Sequence, residues 1–295
     1  MRRFFCIALC VVLGICSDDG HTSVRADVSV FERGIPLYYW EARVGRDFSN
    51  FGDSLSEKIV ERIVGHRIAT TFNNSLLTDC GKRKLLALGS IIHMAENNDV
   101  IWAAGINGHH PDNADTQCYR FITLDVRAVR GPLTRQFLLN MGINCPEIYG
   151  DPALLLPTLF PEFKKSENPL KDYIITPHLS DEHLFRDNPN MVSMKEDWDV
   201  VIAKILDSKF VISTSLHGII AAEAFGIPAR YLKVSDNEPI YKYTDYYFGT
   251  QRYDFKFATT IEEALQMGGE SPPRCDLNAL LQSFPYELFP KATHQ

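Results

Sequence analysis

Residues 210–229, FVISTSLHGIIAAEAFGIPA, constrain the fold more than any other stretch of this chain. Phe210, Val211 and Ile212 form a β-branched apolar run too short for a helix, which reads as a strand buried on both faces. Ser213, Thr214 and Ser215 break the run, and Gly218 to Phe225 resumes at helical spacing until Gly226 and Pro228 stop it. Strand, polar turn and helix make the repeating unit of a parallel sheet, in which ligands sit at the carboxyl ends of strands, against the free N–H groups of the next helix. His217 lies at that mouth. The hydroxyls of Ser213 and Ser215 beside it have no use in a packed core, so this turn is the first candidate for a site.

The rest of the chain alternates apolar runs with helical patterns, as parallel α/β proteins do. Ile35–Trp40 reads as the first strand, followed by a loop ending in Asn50-Phe51-Gly52-Asp53 and a helix over 54–64. Asp53 is a natural N-cap there, with Ser54 and Glu57 at capping-box spacing. Lys84–Ser90 leads into a helix-like stretch containing His93. Asp99–Ala104 reads as a buried strand that opens into the glycine-rich loop Gly105-Ile106-Asn107-Gly108-His109-His110, suited to cradling an anion with backbone N–H groups. Phe121–Arg127 reads as a strand, and Arg130-Gly131-Pro132 turns into a helix over 133–141, where Pro132 suits the first helical position. Arg130 there offers a planar fork to a phosphate or carboxylate. Residues 158–171, rich in Pro, Lys, Glu and Asn, have the composition of a linker. Beyond it Tyr173–Thr176 delivers His178 to a strand end, as the later strand delivers His217. Arg230–Val234 reads as a last strand, residues 241–247 as an aromatic loop, and 261–267 and 277–288 as closing helices. The organisation expected is an N-terminal α/β domain over 27–160, a linker over 161–171 and a second α/β domain over 172–295.

Arg2 and Arg3 followed by an apolar run to Cys16 have the order of a secretory signal peptide, so residues 1–26 read as a cleaved leader, with a short uncleaved anchor as the alternative. Export or entry into a secretory lumen follows from that reading, and a cytoplasmic location from its failure; membrane contact is expected only through an uncleaved leader. A formal charge of -7 and a pI near 5.7 exclude the basic surface that a nucleic-acid partner requires. Outside the leader, Cys80, Cys118, Cys145 and Cys275 lack the spacing of a zinc site. Asp197-Trp198-Asp199 matches the acidic triplet with which some glycosyltransferases hold a metal and a nucleotide, but it opens a helix, where acidic residues favour the dipole anyway. No metal site is expected.

Asn50-Phe51-Gly52-Asp53-Ser54-Leu55, the loop AGINGHH, AVRGPLTRQFLLNMGI, YGDPALLLP, the Thr-Pro-His element ending in His178 and STSLHGIIAAEAFGIPARYL together resemble the polysaccharide pyruvyltransferase family in order and spacing over roughly residues 38–252. The resemblance implies two Rossmann-like domains with a cleft between them, similar to the B-type glycosyltransferases. It also implies phosphoenolpyruvate as donor, a glycan or polysaccharide diol as acceptor, a cyclic pyruvate ketal as product and no cofactor. Ketal formation needs a proton for the donor's methylene carbon, a base for each hydroxyl and cations for carboxylate and phosphate. On that chemistry His217 and His178 are the expected catalytic residues. Arg130, Asn107, Gly105, Ser213 and Ser215 are expected on the donor, and Asn50, Asp53, His109, Glu223 and Tyr243 on the acceptor or in the cleft. Many relatives carry Arg where this chain has Ser215, so one cation must come from elsewhere, with Arg130, Arg230 and Arg252 as candidates. A B-type glycosyltransferase using a nucleotide sugar and a non-catalytic carbohydrate-binding relative are the alternative readings.

Overall fold

A computed structural model describes residues 34–40, 48–71, 83–108 and 119–289. The expected leader, His109, Cys80 and Cys118 lie outside the described residues.

Five parallel strands form the first sheet: β1 (Leu37–Tyr38), β2 (Thr70–Thr71), β3 (Leu85–Leu86), β4 (Val100–Trp102) and β5 (Asp125–Ala128). Their spatial order is β2-β1-β3-β4-β5, each neighbouring pair parallel. This is a doubly wound order, and the direction of winding reverses between β1 and β3, where such sheets leave a crevice at the strand ends. A second sheet holds β6 (Ile174–Thr176), β7 (Val211–Ser213) and β8 (Ala229–Tyr231), again all parallel. The described chain is therefore mixed α/β with a larger and a smaller parallel sheet.

Helix α1 (Phe51–Val64) follows β1 and buries Phe51, Leu55, Ile59 and Val60 at helical spacing. It starts three residues earlier than the sequence pattern indicates: Asn50 takes the N-cap position and Asp53 lies in the first turn, its carboxylate held by the Asn50 amide. Helix α2 (Pro132–Asn140) follows β5 with Pro132 as its first residue. Helix α3 (Leu156–Leu159) is one turn after Asp151-Pro152, and α4 (Trp198–Leu206) precedes β7. In α4 Asp197 occupies the N-cap position and Asp199 the first turn, while the Trp198 ring packs 5.1 Å from Phe160 and 5.4 Å from Phe163. Helix α5 (Leu216–Ala224) follows β7 as expected. One apolar core spans both sheets, with Leu37, Phe51 and Leu55 in the same cluster as Val211, Leu216 and Ile219.

Two elements differ from the sequence reading. Lys84–Ser90 does not lead into a long helix; Leu85–Leu86 is a strand, and a single 3-10 turn (Ile92–Met94) follows Gly89, whose φ of +97° reverses the chain. The aromatic stretch 241–247 is no loop but lies inside helix α6 (Ile240–Gly249). Aromatic residues, Thr and Asp have modest helix propensity, so this stretch lacks a local helical signal. Tertiary packing supplies it: α6 lies against α2 so closely that a Cβ on Gly131 would stand 1.9 Å from the Asp245 carbonyl oxygen. Helices α7 (Ile261–Met267) and α8 (Leu277–Gln282) close the chain; α8 ends before the expected boundary, and a 3-10 turn over Tyr286–Leu288 follows. The α8 segment returns to the first sheet, where Trp102 Nε1 donates to the Leu280 carbonyl at 3.0 Å and the Trp102 and Phe284 rings meet edge-on at 4.9 Å.

Candidate active site

A cavity of about 520 Å³ opens where the carboxyl ends of strands from both sheets face each other. Trp40, Asn50 and Asp53 come from the segment after β1, Ser90 and His93 from the turn after β3, and Asn107 from the loop after β4. His178 and Ser180 follow β6, Ser215 and His217 follow β7, and Glu238 and Lys242 follow β8. Residues from β1 and β3 flank the winding reversal, the position at which an open α/β sheet leaves room for a ligand. Helices α1 and α5 both begin at this cavity, and neither Asn50 nor Ser215 uses its side chain to cap its own helix. Two positive helix ends therefore share one wall.

His217 is wedged behind this wall. A Cβ on Gly52 would stand 2.1 Å from His217 Nδ1, so only glycine lets the first turn of α1 lie flat on the imidazole. Its Nε2 lies 3.8 Å from Asp151 Oδ2, beyond hydrogen-bond reach, and neither atom has a partner among the described protein atoms. Asp151 is fixed by its other oxygen, which accepts from the Ala153 N–H at 2.9 Å. Burial drives the two groups apart in acidity. Desolvation, joined by the nearby charges of Lys242, Arg130 and His178, lowers the His217 pKa to about 3. Desolvation also raises Asp151 to about 6, against the opposing pull of the Ala153 N–H and Arg130. Although 15% of the His217 side chain stays exposed at the cavity wall, the imidazole is neutral at physiological pH, with a carboxyl group behind it. That arrangement suits a general base with a carboxyl group close enough to stabilise its protonated form.

On the facing side, Lys242 Nζ lies 2.5 Å from Glu238 Oε2, one helical turn apart, and His178 Nε2 lies 3.5 Å from Glu238 Oε1. His178 also contacts the Ser180 hydroxyl through Nδ1 at 2.8 Å, and its backbone N–H donates to Thr214 Oγ1. Among the described residues Asn107 Oδ1 is buried without a partner.

Several expected contacts sit one layer behind. Arg130 is 1% exposed and does not line the cavity. Its Nε donates to Asp245 Oδ2 at 3.2 Å, Nη1 to the Ser90 hydroxyl at 2.6 Å and Nη2 to the Ile106 carbonyl at 2.6 Å. Gly105 lies against that guanidinium, and a Cβ there would stand 2.4 Å from Cζ. Asp245 also accepts from the Leu133 and Thr134 N–H groups and from Thr134 Oγ1. The expectation of a free guanidinium beside an open helix start is thus corrected: the chain's own carboxylate fills both positions, and only Ser90 connects Arg130 to the cavity.

Ser213 is likewise internal, its hydroxyl donating to the Thr176 carbonyl and accepting from the Ser215 N–H. The Tyr243 hydroxyl donates to the Thr214 carbonyl at 2.5 Å, with its ring stacked 3.9 Å from Tyr231. Glu223 takes a fork from Arg252 at 2.6 and 3.0 Å and a hydrogen bond from Tyr246. Burial pushes the Glu223 carboxyl above its usual range. Arg230 is held by the Gly268 and Lys256 carbonyls and by Glu270. Neither arginine reaches the cavity, and none of Ser213, Glu223 and Tyr243 lines it.

The structure adds Asp151, Glu238 and Lys242 to the site. Gly150-Asp151-Pro152 is visible in the sequence only as a turn. Glu238 and Lys242 escape because i and i+4 spacing carries meaning only once the segment is known to be helical. Cys145 and Cys275 are free, and burial pushes both thiols up to about 11. Among the described residues no group of three or more His, Cys, Asp or Glu is gathered as a metal site requires, and no helix is long and apolar enough to cross a membrane.

A parallel α/β protein with a histidine–carboxylate pair at facing strand ends is the class these features define. The polysaccharide pyruvyl transferase family model matches residues 50–236, more than half of the chain, and the chain belongs to that family. It is 29% identical over 221 residues to the succinoglycan biosynthesis protein ExoV of Rhizobium meliloti, covering 71% of this chain and 63% of that protein. It is 26% identical over 256 residues to the uncharacterized protein L143 of Acanthamoeba polyphaga mimivirus, covering 79% of this chain and 83% of that one. A functionally uncharacterized Klebsiella pneumoniae protein of known crystal structure aligns with a TM-score of 0.48 at 14% identity, over 76% of this chain and 93% of its own.

Proposed function

We propose that this cavity transfers pyruvate from phosphoenolpyruvate to two hydroxyls of a sugar in a polysaccharide, closing a cyclic ketal and releasing phosphate. The observation that carries the reading is His217, neutral and buried between Asp151 and the cavity, at the mouth where α1 and α5 begin. Family membership supports pyruvyl transfer to a polysaccharide in general terms. The two parallel sheets meeting at one cleft support the finer likeness to two Rossmann-like units of a B-type glycosyltransferase.

In the free protein His217 is a neutral imidazole because its surroundings are dry and cationic. A bound anion reverses part of that field and raises its proton affinity, so the ring acquires a proton as the donor arrives. The imidazolium then gives that proton to the methylene carbon of phosphoenolpyruvate, leaving a cationic carbon at C2 that the first sugar hydroxyl attacks. Neutral again, His217 takes a hydroxyl proton. Phosphate departs from C2, and the second hydroxyl closes the ring there, its proton leaving with phosphate. The first hydroxyl proton thus replaces on His217 the one given to the new methyl group and is released as the products leave, and the second ends on phosphate. Asp151 stabilises the imidazolium from behind, and helix N-termini with Lys242 hold the anions without a cofactor. Asn50, Asp53 and Asn107 offer the acceptor hydroxyls polar contacts.

Incubation of the purified protein with phosphoenolpyruvate and a panel of β-galactosides, glucosides and mannosides should release phosphate and give a ketal methyl signal by NMR. His217→Gln should lower turnover by about 10²-fold or more while remaining folded. No phosphate release with any acceptor, together with melting shifts produced only by nucleotide sugars, would replace this reading with glycosyl transfer. The leader belongs to the same proposal, and the mature protein's N-terminal sequence should begin beyond Cys16.

A further inference from the structure

Among the described residues lining the cavity, Lys242 is the one lysine or arginine. None of Arg130, Arg230 and Arg252 lines it: Arg130 meets it only through the Ser90 hydroxyl, and the other two are tied to carboxylates outside it. Lys242 is 6% exposed, and among the described residues its amine forms an ion pair with Glu238, with the Asp53 charge acting from further off. Glu238 is 15% exposed and divides its two oxygens between Lys242 Nζ and His178 Nε2. One carboxylate bridging an ammonium and an imidazole across the mouth of a cavity is the arrangement a bound phosphate or carboxylate oxygen would adopt. A buried ion pair adds little stability over an apolar pair of the same size, so packing alone gives no reason to keep these charges here. Both residues lie beyond the span 50–236 that matches the family model.

We infer that Lys242 is the cation that grips the anionic group of the donor, and that Glu238 is its resident counter-ion, which the incoming phosphate or carboxylate replaces on Lys242 and His178. The inference rests on the donor being an anion, as the proposed function has it. Lys242 thereby supplies the positive charge that Ser215, beside His217, does not. Glu238 holds the ammonium and imidazole in place and sets a threshold for binding, because an anion that enters must overcome its charge. The carboxylate of Asp53 lines the same cavity and adds to that threshold.

The test reads binding directly, by calorimetry with inorganic phosphate, pyruvate and phosphoenolpyruvate as separate ligands. Lys242→Met should weaken the group that Lys242 holds by about 10- to 100-fold, the range for a charge-assisted hydrogen bond, and Lys242→Arg should recover part of it. Glu238→Gln should tighten the same ligand by about 10-fold, a gain that a merely structural ion pair cannot give. Loss of affinity for phosphate alone assigns Lys242 to the phosphoryl group, and loss for pyruvate alone assigns it to the carboxylate. If Lys242→Met fails to fold, Glu238→Gln carries the test by itself. Unchanged affinity in a folded Lys242→Met, or weaker binding in Glu238→Gln, overturns the inference. Lys242-dependent binding of phosphoenolpyruvate without turnover on any acceptor would instead fault the proposed reaction and leave this assignment standing.

Discussion

Arg130 and Lys242 are both buried cations from segments that follow strands, yet their surroundings are opposite. Arg130 is saturated: Asp245, Ser90 and the Ile106 carbonyl take its donors, and Asp245 in turn holds the start of α2. Lys242 faces a cavity with one paired carboxylate, Glu238, and the Asp53 charge further off, while His217 and Asp151 each keep a buried atom without a partner among the described residues. Desolvation lowers the Lys242 pKa, with the Glu238 charge opposing it. A polar network in which every group is satisfied fixes a fold, whereas polar groups held short of satisfaction at a cavity wall are available to a ligand.

The largest effect is expected from Asp245→Ala. It strands the Arg130 charge in the interior and removes the carboxylate from the α2 start, so denaturant titration should show a loss of about 3–5 kcal/mol. A loss below about 1 kcal/mol would mean that Arg130 is not structurally committed. Next in size is Gly52→Ala. At an open helical site this change stabilises, but here the new methyl group meets the His217 ring. Turnover should fall by about 10²-fold, as for a small misplacement of a reacting group, with the melting temperature nearly kept. Normal turnover would show that the position of the ring is not critical.

A third effect lies in the pH dependence of stability. His217 is lowered to about 3 in the fold, so it contributes stability that is present above its unfolded pKa of about 6.5 and is lost as pH falls towards 3. Asp151 is raised to about 6, so its contribution runs the other way, present below about 3.8 and lost as pH rises through 6. His217→Gln should therefore flatten the acid loss, by at most about 1.4 kcal/mol per pH unit, and Asp151→Asn should remove the opposing slope. Unfolding curves between pH 3 and 7 that stay parallel to the wild type would show that neither group titrates abnormally. The smallest effect is expected at Thr176, whose hydroxyl is buried beside Gly218 without a partner among the described residues. Thr176→Val should change stability by less than about 1 kcal/mol, because no hydrogen bond is lost. A larger loss would place Thr176 with the saturated network instead.

Much of the fold was legible from the sequence. The runs at 35–40, 99–104 and 173–176 each contain an observed strand, the run at 210–212 overlaps Val211–Ser213, and helix α5 starts within two residues of its expected place. These elements are readable because a strand buried on both faces is apolar throughout and its helix begins at a polar turn. The strands Thr70–Thr71 and Leu85–Leu86 were not legible, since the first is polar and the second lies in a run that leads towards a helix-like stretch, and α6 was hidden by low-propensity aromatics. In the site, Asn50, Asp53, Asn107, His178, Ser215 and His217 were named from their place at strand ends, and all of them line the cavity.

What the sequence determined by itself was the alternation of strand, turn and helix, and with it which loops end at the ligand-binding edge, because local patterns of burial and turn chemistry are written in consecutive residues. Which polar group faces the cavity and which is consumed in the core was decided only by tertiary structure. Arg130 and Asp245 are 115 residues apart, and their pairing depends on α6 packing against α2. Asp151 comes from the turn after Tyr149 and His217 from the end of β7, and their shared desolvation exists only because the fold brings these segments together. Charge partners and burial are properties of proximity in space, and a linear pattern holds no record of them until the chain is folded.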